Sequence, residues 1–102
     1  MKHPDLHPEA DLEISHALTY YQAHAPAEIV RDFDAGIVSA FIEIGKHPER
    51  FPRWHRTDVR KYILKRFPYL IFYVDYPECI RVLAVAHTSR RPGYWKTRIA
   101  VD

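Results

Sequence analysis

Arg60–Trp95 reads RKYILKRFPYLIFYVDYPECIRVLAVAHTSRRPGYW, and this stretch decides the fold. Two apolar runs, Tyr69–Val74 and Ile80–Ala86, flank the tetrapeptide Asp75-Tyr76-Pro77-Glu78. Short runs rich in β-branched and aromatic residues, joined by a proline-containing turn, predict a β-hairpin. Both runs are apolar at successive positions, so both faces of each strand should be buried and both strands should be central. The segment before them, Val59–Arg66, mixes Tyr62, Ile63 and Leu64 with Arg60, Lys61, Lys65 and Arg66. That is the composition of a wetter strand nearer an edge, with Phe67-Pro68 as the turn between. The predicted strands are therefore Val59–Arg66, Tyr69–Asp75 and Cys79–His87. Immediately after the last comes a basic, aromatic tail containing His87, Arg90, Arg91, Tyr94 and Trp95.

Working outward toward the N-terminus, the period changes from two to 3.6. Ala10, Ile14, Ala17, Leu18, Tyr21 and Ala25 form a helical stripe over Pro8–His24. Pro8 suits the first helical position, and Glu9 and Asp11 suit the positive end of the helix dipole. Asp11, Glu13, Ser15 and Gln22 are assigned to the outer face. Pro26 ends this helix and starts another, whose stripe is Ile29, Val30, Phe33, Ile37, Phe41 and Ile44. Gly45 is the expected C-terminal cap. Gly36, mid-helix, costs about 1 kcal/mol relative to alanine, which close packing on the first helix would explain. Phe51 and Trp54 should anchor the loop Lys46–Thr57 to the core edge. The residues before Pro8 are a candidate edge strand, although Pro4 limits ladder pairing. The expectation is one α+β domain over residues 1–102. A helical hairpin packs on a three- to four-stranded antiparallel sheet, in the order β-α-α-β-β-β.

Charge is unevenly divided. Residues 1–45 carry two basic and eight acidic side chains, a balance of −6. Residues 46–102 carry thirteen basic and five acidic, a balance of +8. This asymmetry points to a basic surface for an anionic partner, either nucleic acid or an acidic polypeptide. The single Cys79 cannot form an internal bridge and is read as a small core or turn residue. No apolar stretch reaches the roughly 18 residues of a membrane span. The N-terminal residues lack a signal-peptide core, so a soluble cytoplasmic protein without membrane contact is expected. Paired carboxylates, a glycine-rich phosphate loop and a nucleophile elbow are not found. His3 and His7 are four apart but separated by Pro4, which breaks a helical metal pair. No metal or cofactor is expected.

Three features together resemble the RelE/ParE toxins of type II toxin–antitoxin systems, also labelled plasmid-stabilisation proteins. They are the His7–Tyr21 segment, the loop HPERFP (His47–Pro52), and VRKYILKRFPYLIFY followed by IRVLAVAHTSRRPGYW. The resemblance is closer to the ParE-like members. It implies a small basic toxin neutralised by an acidic antitoxin, with operator DNA contacted through that antitoxin. ParE-like relatives are thought to inhibit DNA gyrase by binding it. RNA-cleaving relatives act on ribosome-bound mRNA, and for that chemistry this chain would offer Lys61, Lys65, His87, Arg90 and Tyr94. It places Leu70 where those relatives carry an arginine, which favours inhibition over cleavage. An inactive partner-binding relative is a third reading. The expected partner-binding residues are Arg60, Lys61, Lys65, Arg66, Arg90, Arg91, Tyr94 and Trp95. The competing structural readings are a hydrogen-bonding His87, a hydrophobic clasp of Tyr94 and Trp95 that closes the sheet edge, and basic side chains that protect a strand edge.

Overall fold

The computed structural model describes residues 2–99. A short strand β1 (Pro4–Leu6) precedes two helices, α1 (Pro8–His24) and α2 (Ala27–Lys46). Three strands follow, β2 (Val59–Ile63), β3 (Tyr69–Asp75) and β4 (Ile80–His87), and the tail ends in a single 3-10 turn, Lys96–Arg98. The sheet order is β1-β4-β3-β2. β2, β3 and β4 form the expected antiparallel meander, with β3 and β4 central. β1 pairs with β4 in parallel, Pro4 opposite Ile80 and Leu6 opposite Val82, so the sheet is mixed rather than wholly antiparallel. A three-residue strand carrying a proline has no periodicity to read, and its direction is set by where α1 must begin.

α1 starts as its sequence dictates. Pro8 occupies the first turn, and His7 caps the helix by accepting the Glu9 N–H on Nδ1 at 3.0 Å. Ala10 and Ala17 are buried, and such small side chains let the helix lie close to β4. α2 buries Phe33, Ile37, Ala40 and Ile44. Gly45 is not its cap. The helix continues through Lys46, and the His47 N–H donates to the Glu43 carbonyl at 2.9 Å. Nor does Gly36 mark close packing, because a Cβ there would meet nothing within 4 Å.

The sheet separates two apolar layers. On one side Phe33, Ile37 and Ile44 pack on Ile71, Tyr73, Ile80, Val82 and Val85. On the other, Val59, Phe72, Val74, Leu83, Ala84 and Ala86 are covered by Trp95, with Trp54 and Ile99 beside it. Phe72 and Leu83 are thus core residues, as their runs predict. Strand alternation fails once. Phe72 pairs with Ala84 and Tyr73 with Val82, which leaves Leu83 as an extra residue in β4. Leu83 and Ala84 therefore both belong to the second layer, as a β-bulge permits.

Cys79 is half-buried in the β3–β4 connection, one residue before the strand predicted to contain it. None of the helices described is long and apolar enough to cross a membrane.

Candidate functional site

β2 ends at Ile63, three residues earlier than predicted, and this divides its basic residues. Arg60 and Lys61 are neighbours on a strand, so they point to opposite faces. Arg60 is half-buried, and its guanidinium donates to the carbonyls of Phe51 and Glu49, at 2.7 and 3.2 Å. It secures the loop that runs along the outer edge of β2. That loop also pairs with the strand directly: Trp54 N–H donates to Val59 and Lys61 N–H to Pro52, at 2.6 and 3.0 Å. Beyond Lys61 no backbone partner covers this edge among the described residues, and Ile63 is 61% exposed.

Lys65 and Arg66 lie in the β2–β3 turn. They border a groove of about 320 Å³ against α2, together with Asp32, Gly36, Ser39 and Glu43. Arg66 and Asp32 form an exposed ion pair of 3.2 Å. The four basic residues read as one surface are thus three separate elements: a loop clamp, a sheet-face lysine and a groove wall.

Lys61 opposes Phe72, and Leu70 opposes Ala86, all on the sheet face away from the helices. They line a cavity of about 140 Å³. Its floor is Leu70, Phe72, Ala86 and Trp95, and its rim is Lys61, His87, Arg90 and Arg91, with Tyr94 in the wall. Six residues singled out in the sequence therefore meet here: Lys61, His87, Arg90, Arg91, Tyr94 and Trp95. None of the three rim cations, nor His87, makes an ion pair among the described residues.

The tail reaches this position through a left-handed residue. Gly93 has φ +78°, and a Cβ there would come within 2.8 Å of Lys96 Cε and 3.3 Å of Trp54 Cη2. Glycine supplies both the conformation and the space. Trp95 then lies 4.7 Å from Phe72 and 5.0 Å from Trp54, centroid to centroid. The clasp closes a sheet face, not the sheet edge. The Arg90 guanidinium sits 3.9 Å from the Tyr94 ring centroid, a cation–π contact. His87 uses Nδ1 to accept the Ser89 N–H at 3.0 Å, which fixes the turn after β4.

Sequence reasoning missed the residue that organises the tail. Glu13, assigned to the outer face of α1, accepts hydrogen bonds from Val85 N–H (3.0 Å), Tyr94 Oη (2.5 Å) and both terminal nitrogens of Arg98 (2.9 and 3.1 Å). Arg98 also donates to the Leu83 carbonyl at 3.1 Å. β1 runs out at Leu6, and this ion pair occupies the edge of β4 beyond it. The legible signal was position: Glu13 follows Ala10 by three and precedes Ala17 by four, so it borders the buried stripe. Burial, the Glu13 hydrogen bond and the Glu13 charge, in that order, push the Tyr94 phenol well above its usual range. Burial lowers the Arg98 pKa, but Glu13 outweighs it and the net shift is upward.

Chemically, the cavity offers cations around an apolar floor. The hydroxyl of Tyr94 is committed to Glu13 and holds its proton at neutral pH. Leu70 contributes no charge. Such an arrangement is suited to holding an anionic group attached to an apolar or flat body.

Comparison with known proteins agrees with this architecture. Residues 5–92 match the family model described as the ParE toxin of the type II toxin–antitoxin system parDE. The chain belongs to the ParE toxin family of type II toxin–antitoxin systems. A solved structure described as the chromosomal ParDE system from P. aeruginosa shares the fold, with a TM-score of 0.73 and 16% sequence identity. The alignment covers 85% of this chain and 96% of that one. No curated protein sequence matches the chain. The family match ends before Tyr94, Trp95 and Arg98, so only this last part of the tail lies outside it.

Proposed function

We propose that this protein is a cytoplasmic toxin that acts by binding DNA gyrase and inhibiting it, and that an acidic antitoxin neutralises it. The observation that carries binding over cleavage is the engagement of Tyr94 with Glu13. A group that transfers protons must face its substrate with a pKa near the working pH. Tyr94 lines the cavity, but its hydroxyl is given to Glu13 and its pKa lies far above that range. Leu70 on the cavity floor supports the same reading.

For the antitoxin, the bare edge of β2 beyond Lys61 and the groove beside Lys65 and Arg66 fit an acidic segment. One stretch would add to the sheet edge and another would lie along α2. Reversing Lys61, Lys65 and Arg66 to glutamate should slow association at low salt and flatten its salt dependence. An unchanged association rate would remove this surface as the one that steers the antitoxin.

Expression of the toxin alone tests the target. Gyrase inhibition predicts a DNA-damage response before protein synthesis falls, and loss of supercoiling activity when purified toxin is added to gyrase. The second reading, a ribosome-dependent endoribonuclease, draws on the gathering of Lys61, His87 and Arg90 at one cavity. It predicts the reverse order, with prompt translation arrest and cut mRNA. Neither effect would leave the inactive, partner-binding reading.

A further inference from the structure

We infer that the antitoxin crosses α2 at Gly36, and that the missing side chain there is a determinant of how tightly the pair holds. This contact belongs to the antitoxin surface described above and rests on that reading. Glycine is unfavourable inside a helix, because it gives up more backbone freedom than any other residue. The fold returns nothing for it. Gly36 has ordinary helical backbone, so no left-handed turn requires it. No neighbouring element packs on it either, since a Cβ there would meet nothing within 4 Å. The space left by the missing side chain is part of the groove of about 320 Å³ between α2 and the β2–β3 turn. A helix weakened at the one point where its backbone is bared to a groove is a helix shaped for a partner.

The walls select a polypeptide as the occupant. Asp32, Gly36, Ser39 and Glu43 share one face of α2, and their wall runs for about 16 Å. That length suits a helical segment, not a small ion. Two carboxylates on the wall oppose the phosphates of a nucleic acid. Past the wall, Val38 and Ile42, one turn apart on α2, are exposed and extend the surface with apolar area. The charges then favour an acidic segment. Glu43 faces the Tyr62 hydroxyl, and Asp32 is taken by Arg66. Lys65 has no carboxylate within ion-pair distance among the described residues. The Arg66–Asp32 pair is exposed on both sides, and such pairs contribute little, so Arg66 can turn to an incoming carboxylate. An amphipathic helix therefore fits with its acid toward Lys65 and Arg66 and one side chain in the space above Gly36.

The test sets stability against binding. Full-length toxin, as wild type, Gly36→Ala and Gly36→Leu, would be titrated with the antitoxin encoded beside it, with association and dissociation rates read separately. Thermal unfolding of each free toxin runs alongside. Gly36→Ala should raise the melting temperature of the free toxin and yet weaken antitoxin binding about tenfold, chiefly through faster dissociation. Gly36→Leu reaches further into the groove and should weaken binding about a hundredfold with the free toxin still folded. Association should change little, because no charge is altered. Equal affinity for all three toxins would overturn the contact at Gly36 while leaving the antitoxin reading intact. A lower melting temperature for Gly36→Ala would also overturn it, since the glycine would then serve the helix itself. A wild type that binds no antitoxin removes the antitoxin reading, and this contact with it. Gyrase capture on the same variants decides the remaining occupant. Variants that lose gyrase but keep the antitoxin would assign the groove to gyrase and overturn the proposal.

Discussion

The two faces of the sheet are buried by different means. The helix-covered face is sealed by two helices, whose buried side chains are apolar and supplied from many positions. The tail-covered face is closed by little more than Trp95, Trp54 and Ile99, and that cover is held through one carboxylate, Glu13. Apolar burial is spread over many contacts, so no single group controls it. A hydrogen-bonded ion pair is concentrated, and losing one partner leaves the other charged and unpaired. The first face should therefore account for stability, and the second for a cover that one group can release.

The largest expected effect tests the sealed face. Phe33 is fully buried and touches the rings of Tyr21, Phe67 and Tyr69. Phe33→Ala should cost about 3–5 kcal/mol in urea unfolding, with tryptophan emission of the folded protein unchanged. A loss below about 1 kcal/mol would mean that this layer is not the principal core.

The next effect tests the releasable cover. Arg98 and Glu13 are 12% and 14% exposed, so the pair is largely removed from water. Glu13→Ala should cost about 3 kcal/mol, since it strands Arg98, Val85 N–H and Tyr94 Oη together. Unlike Phe33→Ala, it should shift the folded emission to the red as the tail lifts from Trp54 and Trp95. Adding Arg98→Met should recover part of the stability. Unchanged emission in Glu13→Ala would show that packing alone holds the tail.

A smaller effect is common to both faces. Burial, with Glu43 nearby, pushes Tyr62 up to about 12 from the usual 10.0. Tyr73 and Tyr94 shift in the same direction, also chiefly through burial. In the unfolded chain these phenols ionise near 10, while in the fold they keep their protons. The stabilising contribution is thus complete below pH 10 and is lost as pH rises toward 12. Urea midpoints should fall steadily from pH 9.5 to 11.5. A flat profile would contradict the burial of these hydroxyls.

The smallest effect has the opposite sign. Gly36 lies in α2 with open space where a Cβ would be, so Gly36→Ala should stabilise by about 1 kcal/mol. A loss of stability would mean that the helix is deformed at that turn.

Much of the fold is legible because two periods dominate it. The stripes of α1 and α2 and the continuous apolar runs of β3 and β4 leave little choice of architecture. What escaped reading depends on contacts distant in sequence or on a break in alternation. β1 is specified by its partner in β4, not by its own three residues. The bulge at Leu83 moves side chains across the sheet without any change in composition. At the site, the tail residues were legible as a group because they share one strand end. The split of Arg60 from Lys61 follows from strand parity, and that of Lys65 and Arg66 follows from the early end of β2. Glu13 was read by its charge, although its spacing from Ala10 and Ala17 favoured the buried side.

The parallel pairing of β1 with β4 has a consequence for the order of events during synthesis. Residues 4–6 must wait for residues 80–82, and Glu13 must wait for Arg98, before either is satisfied. Contacts so distant in sequence cannot form on a partly made chain. A ribosome translating this chain therefore carries an unfinished sheet until residues 80–98 have emerged. Chains arrested before β4 should be digested as unfolded polypeptide, while those extended through Ile99 should resist protease. Resistance in the shorter chains would show that the helices fold without their sheet. Neither the completed sheet nor the cavity under the tail exists before residues 80–98 are made, so nothing that depends on that cavity can act earlier.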